Sequence, residues 1–162
     1  MKLRTLPLSL LLVSTAFAAP AQAPWKTFID MSGYYKLTYP PQWQVLTKGN
    51  AVVITSPGGA EDRGVFGITP RSASASIQES VQKEFEDPDH ASDLAQAQAR
   101  IAGIPAIKVW GSKKGDSNIR IVEYYVQKGN YQYYILFQAP HSSMDRFAGI
   151  FNKMISTMKF LK

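Results

Sequence analysis

Asn118-Ile119-Arg120-Ile121-Val122-Glu123-Tyr124-Tyr125-Val126-Gln127, then Lys128-Gly129-Asn130, then Tyr131-Gln132-Tyr133-Tyr134-Ile135-Leu136-Phe137 is the stretch that decides the fold. Alternate side chains of an extended chain share a face. Ile119, Ile121 and Tyr125 therefore predict one strand with a common apolar face, interrupted by Glu123. Lys128-Gly129-Asn130 is a tight hairpin turn, so the next strand returns antiparallel. In that strand Tyr131, Tyr133, Ile135 and Phe137 line one face, while Tyr134 and Leu136 populate the other. A strand apolar on both sides belongs in the middle of a sheet that is covered on both faces.

The flanking sequence supplies the neighbours. Toward the N-terminus, Tyr34–Tyr39, Trp43–Thr47, Ala51–Thr55 and Gly64–Thr69 each read as a short strand. Pro40-Pro41, Lys48-Gly49-Asn50, Ser56-Pro57-Gly58-Gly59 and Pro70 punctuate them, which is the pattern of a β-meander. The period then changes. Ile77, Val81 and Phe85 recur every four residues, and Ser76 with Glu79 forms a capping-box pattern, so a helix is expected over 77–85. Glu86 to His90 reads as a loop. Ala95 to Ile101 alternates and is read as a strand, Gly103-Ile104-Pro105 as a turn, and Ala106 to Trp110 as another strand. Toward the C-terminus, Met144, Phe147, Ile150, Phe151, Met154, Ile155 and Met158 recur at three- and four-residue spacing, which predicts an amphipathic helix. Ser142 is placed to cap it, and Asp145 lies near its positive dipole end. The sum is a layered α+β architecture: one antiparallel sheet, a middle helix and a packed C-terminal helix.

The chain opens with a leader. Lys2 and Arg4 precede an apolar run from Leu6 to Ala19, which ends in small residues. That is the order of a secretory signal peptide. The run is shorter than the ~20 residues a membrane span needs, and Pro7 and Pro20 break it. Residues 1–23 are thus assigned to the signal region. Cleavage is expected after Ala18, because Pro24 would hinder a cut after Ala23. The chain has no cysteine, so neither a lipid on Cys nor a disulfide can form. Without a twin-arginine pair, general secretory export is expected. The mature protein is expected to be soluble in the periplasm or outside the cell, with no stable membrane anchor.

Residues 24–162 are the size of a single domain and can bury an ordinary core without staples. The chain carries 18 basic and 12 acidic side chains, a formal charge of +6; without Lys2 and Arg4 it is +4. The bases are scattered and only Lys113-Lys114 are adjacent, so the charge reads as solvation and nucleic acid is not expected as a partner.

Catalytic signatures are sparse. A Ser/His/acid arrangement would need His90 or His141, the latter beside Ser142 and Ser143. No G-x-S-x-G elbow is present, nor zinc spacing, nor a phosphate-cradling loop. No catalytic residue, metal ligand or cofactor is assigned. The one polar cluster is Glu84, Glu86, Asp87, Asp89, His90 and Asp93. Its oxygens suit Ca²⁺ or Mn²⁺, but the spacing is not that of an EF-hand and Pro88 stiffens its centre. Trp43 and Trp110 could flank a binding groove, although core packing is the commoner role for such rings.

Several short motifs together resemble the PsbP-like family. They are Phe28-Ile29-Asp30, Gly33-Tyr34, Tyr39-Pro40-x-x-Trp43, Gly103-Ile104-Pro105-Ala106, the tyrosine-rich strand 131–137, and Phe147-x-x-x-Phe151-x-x-x-Ile155 followed by Lys159-Phe160. The resemblance spans Phe28 to Phe160. It implies an α/β/α sandwich around an antiparallel sheet. The best-known members are extrinsic proteins of photosystem II that help retain calcium and chloride; others are exported bacterial proteins. The expected function is a non-enzymatic exported domain that binds a protein partner, a small ligand or an ion in the cell envelope. The alternatives are a photosystem II accessory role with a calcium link, in a photosynthetic source, and a secreted hydrolase.

Overall fold

The computed structural model describes residues 23–87 and 91–162. The expected leader and its cleavage site lie outside the described residues, as do Pro88, Asp89 and His90. In chain order the elements are β1 (Lys26–Ile29), β2 (Tyr35–Tyr39), β3 (Gln44–Lys48), β4 (Ala51–Thr55), β5 (Val65–Ser72), α1 (Ile77–Glu86), β6 (Ala91–Ile101), β7 (Ile104–Lys113), β8 (Asp116–Lys128), β9 (Tyr131–Pro140), α2 (Met144–Thr157) and β10 (Lys159–Phe160).

Seven strands form one antiparallel sheet in the order β3-β4-β5-β9-β8-β7-β6. The hairpin of the opening stretch lies in its middle: β9 pairs with β8 on one side and β5 on the other. Both faces of the sheet are covered, as the two-sided strand required. On one face α2 lays Phe147, Phe151 and Met154 against Phe66, Ile68, Val126, Tyr133, Ile135 and Phe137, all buried. Trp43 meets Phe147 and Phe151 nearly edge-on, with centroids 5.8 and 6.1 Å apart. Removing each such aromatic side chain from water contributes roughly 1.5–3 kcal/mol. On the other face α1 covers a smaller core of Val81, Ile107, Val109 and Tyr125. The layers are α/β/α.

α1 begins where the sequence placed it. Ser76 Oγ accepts from the Glu79 amide at 3.1 Å, and the Glu79 carboxylate accepts from the Ser76 amide at 2.8 Å. Two otherwise orphaned donors are thereby satisfied. Ser80 Oγ then donates to Gln132 Oε1 at 3.1 Å, tying α1 to β9. Along its apolar stripe Val81 is buried and Ile77 partly buried, whereas Phe85 is left exposed.

Several boundaries differ from expectation, each for a physical reason. The first predicted strand, β2, does not join the main sheet; with β1 and β10 it makes a separate three-stranded sheet. The Pro40-Pro41 break lets the chain change layers here, and β2 is then held by α2, with the Thr38 amide and hydroxyl both bonded to Thr157 Oγ1. β5 runs through Pro70 instead of stopping there. Pairing with β4 ends at Ile68, so the missing N–H of Pro70 costs no ladder bond. The turn expected at Gly103-Ile104-Pro105 falls one residue earlier, at Ala102-Gly103, where both φ angles are positive, 50° and 80°. Ser142 is not the cap of α2. Residues 141–143 form a single tight turn, the N-cap position falls to Ser143, and its hydroxyl donates backward to the Pro140 carbonyl at 3.4 Å.

Glycine is required at Gly64, between β4 and β5. A Cβ there would lie 2.7–2.9 Å from the Phe147 ring. The bare backbone lets α2 settle onto the sheet edge.

A polar cleft as candidate functional site

The Ile119↔Pro140 register sets the start of β8 beside the end of β9. The chain leaves β9 through the 141–143 turn, and the 60–62 turn between β4 and β5 comes up alongside. Arg146 of α2 holds that second turn by donating to Asp62 Oδ1 at 2.6 Å. The pair is exposed at both ends, so its contribution to stability is small; its role is to fix position. Between these segments lies a cleft of about 720 Å³ lined by Glu61, Asp116, Asn118, Ile119, Pro140, His141 and Ser142. Asp116 Oδ1 also accepts from the Asn118 amide at 3.2 Å, which shapes the start of β8.

Ile119 and Pro140 give the cleft an apolar floor. Glu61, Asp116, Asn118, His141 and Ser142 give it a rim rich in hydrogen-bond acceptors. No lysine or arginine lines it, although the chain as a whole is basic. Such a site attracts a group that is cationic or donates several hydrogen bonds. Among the described residues no hydrogen bond joins His141 to Ser142 or Ser143, and Ser143 is turned to the Pro140 carbonyl. A serine nucleophile activated by His141 would require that contact.

The other expected site residues are dispersed. Glu86 accepts from Gln82 Nε2 at 3.0 Å, Asp87 closes α1 with its amide on the Lys83 carbonyl, and Asp93 sits at the irregularity in the β6–β7 ladder. Asp89 and His90 lie outside the described residues. Among the described residues no group of three or more His, Cys, Asp or Glu side chains is arranged around a common metal position. The two tryptophans do not flank a groove. Trp43 is buried beneath α2, whereas Trp110 is 37% exposed with Lys108 Nζ 5.4 Å from its ring centre.

Glu84, from the expected acidic cluster, faces inward. It approaches the Tyr125 hydroxyl, and beneath it lies Glu123, fully buried on the α1 face of the sheet. The Glu123 carboxylate accepts from Tyr134 Oη at 2.5 Å and from Tyr125 Oη at 3.3 Å. Burial, with the Glu123 charge next in weight, pushes both hydroxyls well above the usual phenol range. Glu123 interrupts the apolar face between Ile121 and Tyr125. The two tyrosine hydroxyls help that face carry a carboxylate.

No family model matches the chain, and no curated protein matches it in sequence. Solved structures do match in fold. A protein of Bacteroides thetaiotaomicron has a TM-score of 0.60 at 18% identity; the match covers 85% of this chain and 48% of that one, so the chain spans about half its length. LpqN, involved in cell envelope biogenesis of Mycobacterium tuberculosis, has a TM-score of 0.61 at 12% identity over 88% of both chains. The cyanobacterial PsbP of Synechocystis has a TM-score of 0.59 at 10% identity over 92% of this chain and 98% of its own. Identities this low show the fold alone, and the fold is the PsbP-like one that the motifs implied.

Proposed function

We propose that this PsbP-like domain is a non-enzymatic binding module of the cell envelope, and that its cleft receives a cationic group of a protein partner or small ligand. The observation that carries the reading is the lining of that cleft: two carboxylates, Glu61 and Asp116, with Asn118, His141 and Ser142, and no basic side chain, on a chain of formal charge +6. An exposed carboxylate pair on such a basic surface focuses a local negative potential. The apolar floor of Ile119 and Pro140 suits the methylene stem of a lysine or arginine side chain. Placement in the envelope rests on the leader sequence and accords with the fold shared with LpqN.

The test is a titration of the isotope-labelled protein with a lysine- and arginine-containing tripeptide, followed by amide chemical shifts. The expected shifts centre on Asn118, Ile119, His141 and Ser142, and disappear in the Glu61→Gln/Asp116→Asn double variant. Shifts spread over the whole surface, or unaltered by the double variant, would overturn the reading. Turnover of ester or peptide substrates that is lost with His141→Ala would favour hydrolysis instead.

A further inference from the structure

Six large apolar side chains are exposed among the described residues, and three of them gather at one end of the small sheet: Ile29 at 59%, Met31 at 97% and Leu161 at 47% exposure. Met31 is not on a loose loop. The turn that carries it is closed by four hydrogen bonds. The Asp30 carboxylate accepts from the Ser32 and Tyr34 amides at 3.0 and 3.1 Å. The Gly33 amide donates to the Asp30 carbonyl at 2.9 Å, and the Asp30 amide to the Tyr35 carbonyl at 3.0 Å. Gly33 takes the positive φ, 70°, that this closure requires. Lys162 then clamps the turn, with Nζ donating to the Ser32 carbonyl at 2.6 Å and lying 4.6 Å from the centre of the Tyr34 ring. The fold builds a rigid mount for a side chain that buries nothing.

The charges around it have one sign. Ile29 stands opposite Lys36, and Lys36 opposite Lys159, in one row across β1, β2 and β10. Like charges directly opposed on neighbouring strands repel. Lys162 completes the group. The only acid among residues 26–39 and 159–162 is Asp30, which is buried and committed to the turn. An apolar tip ringed by lysines, with no exposed acidic side chain in these segments, complements a surface that is apolar inside and anionic outside.

We infer that this end of the small sheet docks on a bilayer containing anionic phospholipid. Ile29, Met31 and Leu161 enter the headgroup boundary, and Lys36, Lys159 and Lys162 meet lipid phosphates. The inference stands independently of the cleft reading but joins it geometrically. Tyr34 packs on Tyr131, the first residue of β9, at 5.0 Å, while the cleft lies at its last residue, Pro140. Ten residues of strand separate the two by about 30 Å. A docked domain therefore holds its cleft away from the membrane.

The experiment is co-sedimentation with vesicles of phosphatidylcholine alone and of phosphatidylcholine with phosphatidylglycerol. It uses the protein recovered after export, its N-terminus sequenced. Binding is expected only to the phosphatidylglycerol vesicles and is expected to be lost at high salt. Lys36→Gln/Lys159→Gln should weaken it about 25-fold, from roughly a fivefold loss for each lysine near an anionic surface, and Met31→Asp about tenfold. Met31 and Lys159 are exposed and Lys36 is half-buried, and both variants should melt with the parent. Failure to sediment with phosphatidylglycerol vesicles, or sedimentation unchanged in both variants, would overturn the inference. So would binding to polyglutamate with none to vesicles, which would assign the tip to an acidic polypeptide.

Discussion

Replacing Tyr134 by Phe tests the buried carboxylate cluster with the loss of a single oxygen. Tyr134 Oη is the shorter of the two tyrosine donors to Glu123, at 2.5 Å against 3.3 Å for Tyr125. Glu123 is fully buried, so water cannot replace the lost donor. A hydrogen bond to a charged group contributes about 1.5–3 kcal/mol, and the loss of about 2 kcal/mol is expected here. A domain of about 140 residues has an unfolding entropy near 0.3 kcal/mol per kelvin. The melting temperature of Tyr134→Phe should therefore fall by about 7 °C. Tyr125→Phe, which removes the longer bond to Glu123 and the contact with Glu84, should also lower the melting temperature. Thermal unfolding followed by circular dichroism at neutral pH reads both. If Tyr134→Phe melts within a degree of the parent, the hydroxyl does not stabilise the buried charge and the account of that cluster fails.

Three further outcomes are expected. Gly64→Ala drives a methyl group into the Phe147 ring and should cost about 1–3 kcal/mol, read as a lower denaturation midpoint at unchanged slope. Ala102 holds φ 50° in the two-residue turn before β7; Ala102→Asn supplies the residue such turns favour and should raise stability by roughly 0.5–1 kcal/mol in the same assay. Alkali should unfold the domain through its tyrosines. Burial holds Tyr35, Tyr125 and Tyr134 far above the ordinary phenol range, and pushes Tyr133 up to about 12. The unfolded chain ionises near pH 10 while the folded chain keeps these groups neutral, so stability is full below that pH and falls as pH rises above it. Tyrosinate absorbance from these residues should appear together with loss of the circular dichroism signal. Complete ionisation with a native signal would contradict the burial.

The parts of the fold legible in the sequence are those in which one strand or helix carries its own pattern. Tyr131 to Phe137 announces a central strand because both of its faces must be covered, and α1 announces itself through Ser76 and Glu79. β1 and β10 carry no such pattern. They are four and two residues long and exist only because β2, placed by α2, offers each an edge. Pro70 and Pro105 look like strand ends until the registers show that their missing donors lie beyond the neighbouring ladder. The cleft was harder still. His141 is visible in the sequence as one of two histidines, but Glu61 and Asp116 come to the cleft from turns remote in sequence, brought together by the β8–β9 register and the Arg146–Asp62 contact. In the acidic stretch around residue 87, adjacency in sequence does not place side chains together among the described residues: Glu84 turns into the sheet while Glu86 stays on the helix surface.

The claim that the cleft is a binding site is tested most directly by photo-crosslinking in living cells, with a benzophenone amino acid replacing Ser142 and, as a control, Lys114. The account predicts one discrete adduct from position 142 that is absent from position 114 and is abolished by Glu61→Gln with Asp116→Asn. Equal crosslinking from both positions, or an adduct indifferent to the loss of the two carboxylates, would contradict it.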